Sequence, residues 1–165
     1  MLILSALISC SHTVDQPIAG WPTRSVFSST AEARHIAGEL TNLGTRPGSF
    51  ALTWSETELT SYLGSILPTG DQATLWCQPG ELYLKYQTPG MQGHSLSARM
   101  SPRLSDNQLQ FDLRGVWFDN QPIGSWLQRI VQSMLNDILA DSLGQYRLQE
   151  FSIELRQIRI RGELD

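Results

Sequence analysis

Basic side chains are scarce. Twelve Lys and Arg stand against 16 Asp and Glu, giving a net charge of −4 and an isoelectric point near 5.3. Nonspecific affinity for nucleic acid comes from neutralising phosphates with clustered Lys and Arg, so DNA and RNA are excluded as expected partners. Cysteine is almost absent. Cys10 and Cys77 are the two present and form no Cys-x-x-Cys, which removes the usual spacing for a metal or redox site. No apolar run approaches the roughly 20 residues needed to span a bilayer. Missing too are the Gly-x-Ser-x-Gly elbow, the phosphate loop, the dinucleotide glycine pattern and His-Glu-x-x-His, so no cofactor and no enzymatic activity is expected. His12, His35 and His94 are scattered and read as solvated surface groups.

What is present suits one folded body. Apolar residues make up 41% and charged residues 17%, a balance that favours collapse over disorder. With the N-terminal segment set aside, about 140 residues remain, enough for a single hydrophobic core.

The chain opens Met-Leu-Ile-Leu-Ser-Ala-Leu-Ile-Ser-Cys. An apolar stretch this short, ending in small residues, reads as the end of a signal peptide at 1–9. Leu7-Ile8-Ser9-Cys10 resembles the bacterial lipobox, whose cysteine is acylated. That resemblance implies an exported protein anchored through Cys10 to the extracytoplasmic side of a bacterial membrane. No Lys or Arg precedes Cys10, a departure from the basic start of a signal peptide. Residues 10–27 lack periodicity and contain Trp21-Pro22, and are expected to be a tether leading to a single domain at 28–165.

Ser29-Thr30-Ala31-Glu32 has capping-box spacing and predicts a helix over 30–43, with Ala33, Ile36, Ala37 and Leu40 on one face. Ser49 to Trp54 reads as a strand. Ser55-Glu56-Thr57-Glu58 then repeats the capping pattern ahead of Leu59, Tyr62, Leu63 and Ile66, predicting a second short helix. Capping and the helix dipole account for Glu56 and Glu58 without an acid–base pair.

From 72 to 118 the period becomes two. Leu82, Leu84 and Tyr86, then Leu96, Ala98 and Met100, then Leu109, Phe111, Leu113 and Trp117 alternate with polar residues. Pro79-Gly80, Pro89-Gly90 and Asp106-Asn107 mark turns. Pro122 is expected to open the longest helix, whose stripe of Ile123, Trp126, Leu127, Ile130, Val131, Met134, Leu135, Ile138 and Leu139 runs toward Gly144. Phe151, Ile153 and Leu155 precede Ile158 and Ile160 with a one-residue slip, which requires a turn at Arg156-Gln157 or a bulge. Arg147, Arg156, Arg159 and Arg161 read as the wet face of the last strand, interleaved with Glu154 and Glu163. The expected fold is therefore α+β: a curved antiparallel meander packed around a long helix in the C-terminal half, with two shorter helices before it.

The stretch Leu52-Thr53-Trp54-Ser55-Glu56-Thr57-Glu58-Leu59-Thr60-Ser61-Tyr62-Leu63 resembles the strand-then-helix opening of the LmeA-like and YpmS-like bacterial envelope proteins. The ending Phe151-Ser152-Ile153-Glu154-Leu155 through Ile158-Arg159-Ile160-Arg161-Gly162 is similar to their closing strands, with Arg156-Gln157 in place of the usual Asp-Gly turn. The resemblance implies a sheet wrapped about a long helix, in the manner of tubular lipid-binding domains, and phospholipid or another apolar molecule as ligand. On that expectation an acyl chain lies between Leu84, Phe111, Leu113 and Trp117 of the sheet and Ile130, Met134 and Ile138 of the helix. The alternative is an accessory envelope lipoprotein with a solid core, acting through protein contacts. Apolar faces alone do not separate a filled interior from a chamber.

Overall fold

The computed structural model describes residues 18–45, 47–91, 94–143 and 146–164. Cys10, the segment at 1–9, the tether as far as residue 17, His12 and Gly144 lie outside those residues, as do the side chains of Met134, Ile138 and Leu139.

The two N-terminal helices form where their spacing predicts, α1 at Thr30–Leu43 and α2 at Glu56–Ile66, flanking strand β1 at Gly48–Ser55. At α2 the capping box is complete: Ser55 accepts from the Glu58 amide, and Glu58 accepts from the Ser55 amide. At α1 the same spacing closes differently. Ser29 makes no side-chain cap, and its amide donates instead to the Ser61 hydroxyl of α2, 2.8 Å away, which lies 3.3 Å from the Glu32 carboxylate. Tertiary packing has inserted a hydroxyl between the two halves of a local motif, joining α1 to α2.

The expected architecture is overturned. Strand is the largest share of the described residues, and the strands divide into two antiparallel sheets, with no long helix enclosed by a meander among those residues. Strands β2 (Gln72–Gln78), β3 (Glu81–Gln87), β4 (Ser95–Ser105), β5 (Gln108–Phe118) and the two-residue β6 (Gln121–Pro122) form one sheet in that order. The other has the order β1, β8 (Gln157–Leu164), β7 (Tyr146–Glu154), so the first strand of the chain pairs with the last. The two sheets are stitched at one corner by Gly80 N–H to Ile153 O and Arg156 N–H to Cys77 O.

Local chemistry explains the departures. Asp119 and Asn120 both take left-handed backbone conformations, which Asp and Asn tolerate better than most residues. The chain folds back there, so Pro122 pairs with Trp117 at an edge that needs no amide donor, and the third helix, α3, begins only at Ser125. Two bulges then set which side chains face inward. An extra residue on β5 at Arg114 shifts the alternation, turning Val116 inward and Trp117 outward, although Trp117 stays in phase with Leu113 when counted in twos. An extra residue on β7 at Gln149 brings Leu148, Phe151 and Ile153 onto one face. The slip before Ile158 is a tight turn at Leu155-Arg156, with Arg156 in the left-handed region.

Helix α3 (Ser125–Leu143) lies along the open side of β5. Its contact is partly polar. Gln128 donates to Leu113 O, while Leu113 and Phe111 N–H donate to the side-chain oxygens of Gln132 and Asn136, at 2.8, 3.3 and 2.9 Å. These residues recur every four positions and form one stripe of the helix. Val131 and Leu135 are partly buried beside it, whereas Trp126 and Ile130 of the expected apolar stripe are 56% and 48% exposed. Asn136→Ala leaves the Phe111 amide without its partner and is expected to lower stability by roughly 1–3 kcal/mol in a denaturant titration. An unchanged midpoint would show that water replaces the amide at no cost.

Within residues 18–27, expected to trail as tether, Trp21 packs on the outer face of the five-stranded sheet and Arg24 reaches the edge of β2, while Phe27 stays exposed. Trp21 meets Trp76, Tyr83 and Trp117 edge-on, with centroids 6.1, 5.1 and 5.8 Å away. The Trp117 indole lies flat over Gly115, where any Cβ would come within 2.3 Å of it. The Trp76 indole N–H donates to Arg24 O at 2.9 Å. An apolar aromatic cluster on the far side of the sheet buries what the strand alternation leaves there.

Candidate functional site

Two features of the fold bear on function: a part-buried ion pair at the start of α2 and an apolar cavity beside it.

Glu56 is 5% exposed. Arg24 grips it with both arms of its guanidinium, at 2.9 and 2.5 Å, and the same group donates to Cys77 O at 2.8 Å. Glu56 also accepts the Cys77 amide at 3.1 Å. Burial works against its charge, but the Arg24 fork and the Cys77 amide outweigh that and hold Glu56 below the ordinary carboxylate range. Cys77 is fully buried, and burial pushes its thiol up to about 12, leaving it an inert apolar filler. One turn further along α2, the Thr60 hydroxyl accepts the Leu75 amide at 3.0 Å. Glu56, Arg24 and Thr60 thus occupy the edge amides and carbonyls of β2, a structural task that the capping reading of Glu56 did not foresee. A long-range partner such as Arg24 leaves no mark in local spacing.

Inward side chains of both sheets, together with α1 and α2, enclose a half-open cavity of about 450 Å³. Phe50, Leu52 and Trp54 of β1 face it, as do Ile158 and Ile160 of β8 and Tyr146, Leu148 and Phe151 of β7. Leu75, Leu82, Leu109 and Phe111 come from the five-stranded sheet, and Leu40, Leu43, Leu59 and Tyr62 from the helices. Among the described residues, no charged side chain lines it. Trp54, Leu82, Leu109, Phe111, Leu148 and Ile158 are buried and make its depth, while the others are partly exposed and make its rim. Helix α1 packs on α2 and is held over β1 by the Trp54 indole donating to Glu39 at 2.5 Å. His35 lies between Glu58, at 2.9 Å, and Glu39, at 3.9 Å.

At one end of the cavity the Phe50 ring lies across Gly162 and meets Tyr146 edge-on at 5.8 Å. A Cβ on Gly162 would sit 2.6 Å from Arg147 O and 2.9 Å from the Phe50 ring. Gly162→Ala must therefore displace backbone, and is expected to cost about 1–3 kcal/mol and to shift the near-ultraviolet circular dichroism of the aromatic pair. A variant with unaltered midpoint and spectrum would contradict this packing.

Of the expected chain-binding wall, Phe111 lines this cavity and the other members with described side chains lie elsewhere. Leu84 is half-buried on β3 and Leu113 buried on β5, both away from the lining; Trp117 faces outward against Trp21; Ile130 faces solvent. The side chains of Met134 and Ile138, and all of Cys10, lie outside the described residues. The cavity sits instead between β1, β7, β8 and the first two helices. Phe50, Leu52, Trp54, Phe151, Ile158 and Ile160 carried the signal as an alternating apolar pattern at both ends of the chain, but nothing local shows that those ends pair.

The two described histidines, His35 and His94, are exposed yet engaged. His94 bonds Asp119 and stacks on Phe118, and His35 bridges α1 to α2 as above. Arg159 and Arg161 pair with Glu154 and Glu150 across the wet face of β8, as the interleaved charges imply. Among the described residues, no group of three His, Cys, Asp or Glu side chains is placed to hold a metal ion, and no helix is long and apolar enough to cross a membrane. No protein-family model matches the chain, and no curated protein matches it.

Proposed function

We propose that this protein is a non-enzymatic envelope lipoprotein that binds or transfers lipid, held at a bacterial membrane through acylated Cys10 and carrying apolar ligand in the cavity between the β1–β8–β7 sheet and helices α1 and α2. The observation that carries this reading is a cavity of about 450 Å³ whose described lining is Leu, Ile, Phe, Trp and Tyr, with no charged side chain among the described residues. A half-open apolar cavity of this size leaves its lining against water, which is unfavourable in proportion to the apolar area exposed. A bound apolar molecule takes that area out of water. A solid-cored accessory protein has no such need, which sets the scaffold alternative second. A rigid polar metabolite would call for several fixed donors and acceptors, and the lining offers few.

Native mass spectrometry of the purified full-length chain tests the reading directly: an excess mass matching a cellular lipid is expected, and protein that is empty and takes up no lipid from vesicles would sink it. Anchoring is tested separately. Cys10→Ala is expected to move the protein from the membrane to the soluble fraction of its host, since a multiply acylated cysteine holds far more firmly than one short chain. Unchanged fractionation would remove the lipoprotein claim.

A further inference from the structure

Resting on the lipid-binding reading, we infer that the cavity takes one acyl chain of a single-chain amphiphile, a fatty acid or a lysophospholipid, and leaves the polar head in water. Volume decides the number of chains. At roughly 30 Å³ per methylene, about the volume of a water molecule in the liquid, 450 Å³ holds ~15 methylenes. Two chains of that length need about twice the space, so an intact diacyl lipid would leave one chain in water. Charge decides the place of the head. Tyr62 and Tyr146 bring the phenol hydroxyls of the lining, with the indole N–H of Trp54 already donating to Glu39. An ionised carboxylate or phosphate taken inside would find no cation among the described lining residues, and an unpaired charge is excluded from such a site by its desolvation cost. The opening supplies water instead, because the rim side chains Leu40, Leu43, Leu59 and Tyr62 are only partly buried.

Depth decides chain length. Leu82, Leu109, Phe111, Leu148 and Ile158 are all buried and close the inner end, so methylenes beyond the filled length must bend back or remain outside. Affinity should therefore climb with each added methylene, about fourfold per step if fully buried, and then stop climbing.

The test uses the delipidated full-length chain and three sets of probes: saturated fatty acids from eight to twenty carbons, lysophosphatidylcholines of the same lengths, and dipalmitoylphosphatidylcholine vesicles. Isothermal titration gives affinity, and native mass spectrometry gives stoichiometry. The expected result is one chain per protein, with affinity rising to a plateau at roughly 15 carbons and diacyl lipid at least tenfold weaker than its lyso form. Binding by both single-chain series shows that the shared chain is what is recognised; binding by one alone names the head that the opening tolerates. A one-to-one complex with the diacyl lipid as tight as with the lyso form, or affinity still rising at twenty carbons, overturns the single-chain inference while leaving lipid binding intact. Failure of every probe rejects the lipid reading itself. A dimer formed through this opening, seen as loss of binding with rising protein concentration, would assign the cavity to a second copy of the chain and overturn the inference.

Discussion

Arg24→Met is expected to destabilise the protein by roughly 1–3 kcal/mol at pH 7, the cost of taking a charged hydrogen-bond partner from the buried Glu56 carboxylate of a part-buried ion pair. Methionine keeps much of the arginine stem while deleting the fork that holds Glu56 and caps Cys77 O. The pH dependence separates this cause from lost packing. In the wild type Glu56 titrates below its ordinary value of 4.5. A carboxyl depressed in the folded state contributes stability that is present above the unfolded pKa and is lost as pH falls through the folded one. Wild-type stability should accordingly decline below about pH 4.5. In the variant that contribution shrinks, because burial, which raises the carboxyl, is then opposed by the Cys77 amide without the Arg24 fork. The gap between wild type and Arg24→Met in guanidinium midpoints should narrow between pH 7 and pH 4. A gap that stays constant would reduce Arg24 to a packing role.

Leu52→Trp is expected to abolish lipid uptake while leaving the fold intact. Leu52 is half-buried on β1, its side chain faces the cavity, and its neighbour across the register is Ile160, also on the lining. In a filled core the added indole would cost roughly 1–3 kcal/mol by overpacking. Into an open void the same group brings new contacts, and such cavity filling commonly adds about 0.5–2 kcal/mol. Two readouts therefore move together if the cavity is as described: bound lipid disappears by native mass spectrometry, and the thermal midpoint holds or rises. Undiminished uptake would place the ligand elsewhere, and a sharp loss of stability would mean that β1 and β8 already fill the space.

What could be read from the sequence was governed by distance along the chain. The short helices were legible because Ser55 and Glu58 cap α2 within four residues, and Asp106-Asn107 announced its turn in the same way. Pro122 misled because its meaning depends on Asp119 and Asn120, whose left-handed turn consumes it in an edge pair before α3 can start. Trp117 misled because a single extra residue at Arg114 reverses every later side chain on β5. The stripe of Gln128, Gln132 and Asn136 was present at four-residue spacing, but an apolar stripe beside it reads more loudly and conceals that the amides, too, face the sheet. Pairing of β1 with β8 joins Gly48 to Leu164, and no local pattern reports a partner that remote. The cavity is a product of that pairing, so its location lay beyond reach even though most of its side chains were recognisable as inward-facing.

The dressing of both long edges of the five-stranded sheet bears on how the protein survives at high local concentration. An uncovered strand edge is a template on which another chain can add a strand, the first step toward domain swapping or fibrils. On β2 the amides and carbonyls of Leu75 and Cys77 are taken by Thr60, Glu56 and Arg24, and on β5 those of Phe111 and Leu113 are taken by Gln128, Gln132 and Asn136. Side chains from two helices and one extended segment thus imitate the next strand without offering an edge of their own. Molecules crowded together would meet there as closed surfaces, and local fraying of α3 or of the segment around Arg24 would convert each into a seed for the next.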